Sequence, residues 1–322
     1  MVAVAQRIKS SLDNDLALLI ELGQDPVGDV QIIAEARTIE SMALPLDTSS
    51  VSFRELRETW FGSSAGSIPG VQDKVSSRML NARARRAMLE YIVKFNPVDV
   101  PFAVENEFYF LQLAKSAGLK VAGHELLTDR DGEHALLLER FDRHLAEDGL
   151  IRLAMEDGAQ VLGLYPSAKY DVSFSEVTTA FLEHVPAKQA AALELFRQIV
   201  FAWLTGNGDA HAKNFAMLKT PSGEWRISPA YDLLCTAFFG DRTMALELGG
   251  NNSGWKRETL LQYAQQCGLP GRLANLEIEK LLNKLKDLPT AILSGALPYR
   301  RDQNIEVSNL LKKRARAITN PS

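Results

Sequence analysis

The sequence has little of several things, and each shortage narrows what the chain can be. Among 322 residues there are two cysteines, Cys235 and Cys267, with no spacing that suggests a disulfide framework or a cysteine metal site. A reducing, cytoplasmic compartment fits that usage best. No stretch reaches the roughly 18 consecutive apolar residues of a membrane span, and the apolar run at the start is too short for a signal peptide. No membrane partner is therefore expected. Positive charge is not in excess: the formal net charge is −4, which gives no general case for direct nucleic-acid binding. The one basic run, Lys312, Lys313, Arg314 and Arg316, reads as a solvated helix face in preference to a phosphate-binding patch. There is no internal repeat, no low-complexity segment, no Walker P-loop and no G-x-G-x-x-G. His124 and His184 lack partners at ligand spacing. What remains, 46% hydrophobic and 24% charged, is ordinary for a globular chain long enough to bury a large core in two lobes.

The polar chemistry is concentrated between Trp203 and Leu234. The apolar run Ile199 to Leu204 reads as the end of a buried helix, broken by Gly206-Asn207-Gly208. The loop that follows carries Asp209, His211, Lys213 and Asn214. Asn214 stands five residues after Asp209, the spacing of the protein-kinase catalytic loop, where the Asp orients or deprotonates a hydroxyl and the Asn holds magnesium. Residues 214–219 and 225–228 flank Pro221-Ser222-Gly223 as a hairpin, which returns the chain to Asp232, a candidate second metal carboxylate. Phosphoryl transfer needs little covalent help. It needs a cation between phosphate oxygens and a positioned hydroxyl, and magnesium takes few, hard oxygen ligands. The same residues could instead be turn-formers in a polar loop.

Elsewhere the pattern predicts a helix over 8–22 closed by Gly23, a strand from Gly28, and a Ser52 to Glu55 capping box opening a short helix. The Gly/Ser-rich stretch 62–70 is either a flexible linker or a loop approaching phosphates. Residues 88–95 read as a strand with Lys94 at its end, able to neutralise phosphates. Helix 105–117 follows, where Glu107 is either a partner for Lys94 or only a first-turn acid. A hairpin around Asp131-Gly132, a capping box at Ser173 to Glu176, and a long helix opened by Pro186 come next. Three helices close the chain, over 257–267, 276–288 and 306–318.

Five motifs in order, SIPGVQDK (67–74), ENEFYFLQLAKSAGL (105–119), LERFDR (138–143), GDAHAKNF (208–215) and SPAYDLL (228–234), resemble those of HipA-type serine/threonine kinases, the toxin component of bacterial toxin–antitoxin modules. The resemblance spans roughly residues 20 to 310. It implies an α+β, two-lobed protein-kinase-like fold, with a small β-rich lobe over 1–144 and a mainly helical lobe over 145–322. It implies ATP and Mg2+ as cofactors. Asp209 would act on the substrate hydroxyl with Lys213 as a second catalytic candidate, and Asn214 and Asp232 would ligate the metal. Ser67, Ile68, Pro69, Lys94, His211 and Tyr231 would line the nucleotide site, and backbone groups of Glu139 and Phe141 would meet the adenine edge. Ser67 matches the family's self-phosphorylated serine, with Ser63 and Ser64 as nearby alternatives, and Lys74 falls at the loop end.

The resemblance further implies a small helix-turn-helix, HipB-like antitoxin, contact with DNA only through it, and an aminoacyl-tRNA synthetase as substrate. LGQDPVGDVQI (22–32) resembles the end of that family's amino-terminal subdomain, so a separate small protein is expected to supply the rest. Two rival functions stand beside this one: a catalytically silent kinase-like module that binds an antitoxin, and a small-molecule kinase.

Overall fold

The computed structural model describes residues 14, 16, 20, 27–32, 42–43, 47–61, 79–86, 89–97, 100–147 and 149–319. Five strands, β1 (Met42–Ala43), β2 (Leu80–Arg86), β3 (Leu89–Phe95), β4 (His124–Thr128) and β5 (His134–Glu139), form one sheet in the order β1-β2-β3-β5-β4. All pairings are antiparallel except β1 with β2. Strand alternation divides its two faces. Val93, Phe95, Ala135 and Leu137 join Phe53 of α1 (Phe53–Phe61) in a small core, whereas Leu136 and Leu138 join the large core with Phe110 and Leu111 of α2 (Ala103–Ala117). Lys94 pairs with Leu136, so its side chain falls on the α2 side. That register decides what the lysine can touch.

The Ser52 to Glu55 capping box does not form. The Phe53 N–H donates to Asp129 Oδ2 at 2.7 Å, and the Ser52 hydroxyl has no hydrogen-bond partner among the described residues. Asp129 is already fixed by the Asp131 and Glu133 N–H groups of the β4–β5 turn, at 2.9 and 2.8 Å. An ionised acceptor held in place is a stronger cap than a serine hydroxyl.

Between the lobes, Asp142 is buried among four donor groups: the Gly28 N–H (2.9 Å), Arg140 Nε (3.1 Å) and Nη2 (2.8 Å), and Arg143 Nη1 (2.7 Å). Arg143 Nε also donates to Glu90 Oε2 at 2.8 Å, so the buried charges are paired. The strand expected from Gly28 is a bend over residues 27–29, because the Gly28 N–H and carbonyl go to Asp142 and Arg143 and not to a strand neighbour. Residues 30–32 are irregular as well, and the rest of that expected strand, with most of the helix expected over 8–22, lies outside the described residues.

A hairpin at the lobe junction, β6 (Arg143–Ala146) with β7 (Gly149–Arg152), leads into the second lobe, which holds a three-stranded antiparallel sheet in which β9 (Ala216–Lys219) lies between β8 (Met155–Asp157) and β10 (Trp225–Ile227). The rest is helical: α3 (Gly158–Val161), α4 (Phe174–His184), α5 (Lys188–Thr205), α6 (Arg257–Gln266), α7 (Gly271–Leu285), α8 (Leu288–Leu293) and α9 (Arg301–Ile318). α5 is the axis of the lobe, with every residue from Gln198 to Thr205 buried.

Several boundaries differ from expectation. Pro186 precedes α5, whose N-cap is Ala187. Pro289 does not end a helix but sits in the first turn of α8, where its missing N–H costs nothing. α7 ends at Leu285, and α9 begins at Arg301, five residues before the position expected. The basic run is not all solvated: Arg314 is buried, donates to the Trp203 and Arg242 carbonyls at 2.9 Å each, and lies 4.4 Å from the centroid of the Trp203 ring. It therefore pins the end of α5. Among the described residues no helix is long and apolar enough to cross a membrane.

Candidate functional site

α5 ends at Gly206, whose φ of 76° closes the helix in the left-handed conformation that glycine adopts without cost. The loop then turns back against the core. A Cβ on Gly208 would lie 2.5 Å from the Thr243 carbonyl, so no larger residue fits there without movement. Asn207 Oδ1 accepts the Asp209 N–H at 3.1 Å, and Asn214 Oδ1 accepts the His211 N–H at 3.0 Å, around a 3₁₀ turn over Ala212–Asn214. Asp209, His211 and Asn214 are all buried.

The hairpin of β9 and β10 delivers Asp232 to the same place. Asp232 has φ 57°, a conformation that a side chain with a Cβ rarely adopts. Its carboxylate is held on both oxygens: Lys94 Nζ donates to Oδ1 at 2.8 Å and Asn214 Nδ2 to Oδ2 at 2.7 Å. Lys94 also reaches both oxygens of Glu107 at 2.8 Å. The neighbour of Glu107, Asn106, clasps the segment after Asp232, accepting the Cys235 N–H at 2.8 Å and donating to the Cys235 carbonyl at 3.2 Å. Strand and loop thus meet at one carboxylate, with the helix joined to it through Lys94.

Burial would by itself lower the proton affinity of Lys94, but Asp232 and Glu107 outweigh it and hold the ammonium well above its ordinary range. Burial likewise opposes ionisation of Asp232, and Lys94 outweighs it, with help from His211 and Asn214, so Asp232 is held below the usual carboxylate range. Glu107 goes the other way. Its complete burial, reinforced by Asp232 and opposed by Lys94, pushes its carboxyl up to about 7 from 4.5.

A carboxyl that binds its proton more tightly when folded stabilises the protein fully below pH 4.5, and that contribution is lost as pH rises to about 7. Asp232, shifted down, adds no slope in that window. Glu107→Gln, which keeps an acceptor for Lys94, should therefore remove on the order of 3 kcal/mol of pH dependence in unfolding free energy between pH 4.5 and 7. Urea titrations of both proteins at the two ends of the window measure this. Equal slopes would show that Glu107 does not titrate there.

The other sequence-selected residues are dispersed around this centre. Lys213 is part-exposed, with Nζ 3.7 Å from Asp157 Oδ2, and its carbonyl accepts the Tyr231 hydroxyl at 2.7 Å. The Tyr231 ring lies 5.7 Å from that of Phe141, which brings the segment between the lobes to the turn after β10. The Glu139 N–H donates to the Gly123 carbonyl at 2.7 Å. Ser63, Ser64, Ser67, Ile68, Pro69 and Lys74 lie outside the described residues. Sequence reasoning missed Tyr170, whose hydroxyl donates to Asp209 Oδ1 at 3.1 Å, and Asn106. Neither belongs to a spacing that signals chemistry on its own.

Among the described residues no group of three or more His, Cys, Asp or Glu is placed to hold a metal. A magnesium ion carried by a nucleotide needs less, because phosphates and water complete its shell. Asp232 and Asn214 lie side by side, with the Asn214 amide nitrogen on the carboxylate and the amide oxygen turned to the His211 N–H. The Asn214 oxygen that accepts from His211 has a second lone pair. The donor set fits.

Residues 66–288 match the family model of the HipA-like C-terminal domain. The Sinorhizobium fredii protein Y4mE is 30% identical, the match covering 91% of this chain and 75% of that protein. The serine/threonine-protein kinase toxin HipA of Shewanella oneidensis is 28% identical over 88% of this chain and 71% of its own length. A solved structure of the Shewanella HipA, HipB and operator DNA complex matches the fold with a TM-score of 0.70 at 24% identity, covering 98% of this chain and 82% of that one.

Proposed function

The chain belongs to the HipA-like family of kinases, and on that footing we propose that it is an ATP- and Mg2+-dependent serine/threonine protein kinase acting as the toxin of a toxin–antitoxin pair. The observation that carries the reading is the convergence on Asp232 of Lys94 from the small lobe and Asn214 from the catalytic loop, at 2.8 and 2.7 Å. Bound magnesium would offset the negative charge of the phosphates and hold them in one orientation. Asp232 and Asn214 hold it. Lys94, steadied by Glu107, and His211 take the phosphates. Asp209 orients the acceptor hydroxyl and takes its proton, and Lys213 borders the same site. Since the Glu139 N–H is committed to Gly123, the adenine edge meets the Glu139 carbonyl and the Phe141 backbone, above Tyr231. Residues 1–144 form the small lobe and 145–322 the large one.

Ser67 is the site of self-phosphorylation, in the Gly/Ser-rich stretch of sequence that also holds Ile68 and Pro69. Adding about two negative charges beside ATP phosphates there turns the enzyme off. A HipB-like antitoxin is the partner, and through it the kinase reaches operator DNA, as the components of the Shewanella complex suggest. The substrate is an aminoacyl-tRNA synthetase. The test is incubation with γ-labelled ATP, magnesium and cell lysate. A labelled protein band of synthetase size, together with label on Ser67, is the expected result. Label in a metabolite would make the chain a small-molecule kinase, and no label at all a silent module.

A further inference from the structure

Tyr170 belongs to none of the motifs that single out the catalytic loop, yet it touches that loop's acid directly. Its hydroxyl donates to Asp209 Oδ1 at 3.1 Å, and its ring meets the His211 ring edge-on with centroids 5.2 Å apart. The backbone beside it is tied to the same loop, the Ala212 N–H donating to the Lys169 carbonyl at 3.2 Å. A short segment ahead of α4 therefore grips residues 209, 211 and 212 together.

A carboxylate can turn about its Cβ–Cγ bond, and its two oxygens are equivalent until something tells them apart. A donor on Oδ1 removes that equivalence and fixes the direction of Oδ2, and a hydrogen bond to a charged acceptor is strong enough to hold one orientation. Burial sharpens the effect, since Asp209 is only 3% exposed and water cannot substitute freely for the phenol.

We propose that Tyr170 is a positioning residue for phosphoryl transfer, pinning Asp209 Oδ1 so that Oδ2 faces the acceptor hydroxyl. The proposal rests on the reading of Asp209 given above. In the transfer, the acceptor oxygen bonds to the γ-phosphorus, its proton passes to Asp209 Oδ2, and the bond from that phosphorus to the oxygen leaving with ADP breaks. Tyr170 exchanges no proton and forms no bond. It only sets the geometry in which the others do, and near-attack geometry is worth large factors in rate.

The test uses the full chain with γ-labelled ATP, magnesium and lysate, comparing wild type, Tyr170→Phe and Asp209→Asn. Tyr170→Phe keeps the ring against His211 and removes only the donor. It should lower the maximal rate about tenfold while leaving the half-saturating ATP concentration unchanged, with the thermal midpoint lowered by no more than a few degrees for the one buried acceptor left unsatisfied. A Tyr170→Phe protein at full rate, beside an inactive Asp209→Asn protein, overturns the role of Tyr170 alone. A rate loss accounted for by partial unfolding at the assay temperature, or by weaker ATP binding, overturns it too, since the residue would then be structural. An Asp209→Asn protein that keeps its rate overturns the reading of Asp209 on which the proposal stands.

Discussion

Asp209→Asn should leave a folded protein that binds ATP and magnesium as wild type does but transfers phosphate on the order of 10³-fold more slowly. The substitution is close to isosteric. The Asp209 backbone N–H still has Asn207 Oδ1 as its acceptor, and an amide oxygen still accepts the Tyr170 hydroxyl. What is lost is a negative charge and a proton acceptor at a residue whose side chain is shielded from water. The contacts among Lys94, Glu107, Asp232 and Asn214 do not pass through Asp209, so nucleotide affinity should hold. Burying an amide in place of a carboxylate also removes a desolvation cost, so the thermal midpoint should not fall. The check is a transfer rate with labelled ATP beside equilibrium dialysis of nucleotide. A rate within tenfold of wild type would remove Asp209 from the chemistry.

The build of the 206–232 segment was legible because its signals are local. Helix end, glycine breaker, Asp-to-Asn spacing and hairpin all lie within about thirty residues, and each follows from backbone preferences of the residues themselves. Lys94 was legible only as a strand lysine, and Glu107 stood undecided between ion pair and first-turn acid. What decides between those is a register, Lys94 opposite Leu136, set by strands forty residues apart in sequence. The same limit explains the misses. Asp129 caps α1 across 76 residues, and Arg314 supports Trp203 across 111. A local pattern cannot anticipate an acceptor delivered by topology. Ser52 had the right neighbours in sequence and lost its role to a carboxylate that was fixed elsewhere. Tyr170 is the clearest case, since its chemistry is ordinary until the fold sets it against Asp209.

Asp232→Asn should fail in a different way, and the contrast separates the two acids. Transfer should again fall on the order of 10³-fold, but now with a raised magnesium requirement and weaker binding of ATP when magnesium is present. Asp232 is where the two lobes meet through charge: Lys94 on one oxygen, Asn214 on the other. The amide can accept from only one of these two donors and turns its own N–H toward the other, gives Lys94 no counter-charge, and offers a cation a far weaker ligand. Glu107 remains on Lys94, so the ammonium stays paired and the small lobe keeps its packing. Folding should therefore survive at some cost from the lost ion pair with Lys94, and φ 57° is no obstacle, since asparagine tolerates that conformation better than most residues. Rates measured across a magnesium series, with ATP binding measured with and without the metal, distinguish the variants. If Asp209→Asn loses rate without a shift along the magnesium axis and Asp232→Asn shifts along it, the two carboxylates divide the work between hydroxyl and metal. Identical magnesium dependence in the two proteins would mean that Asp232 serves Lys94 alone, and that the metal is held by other groups.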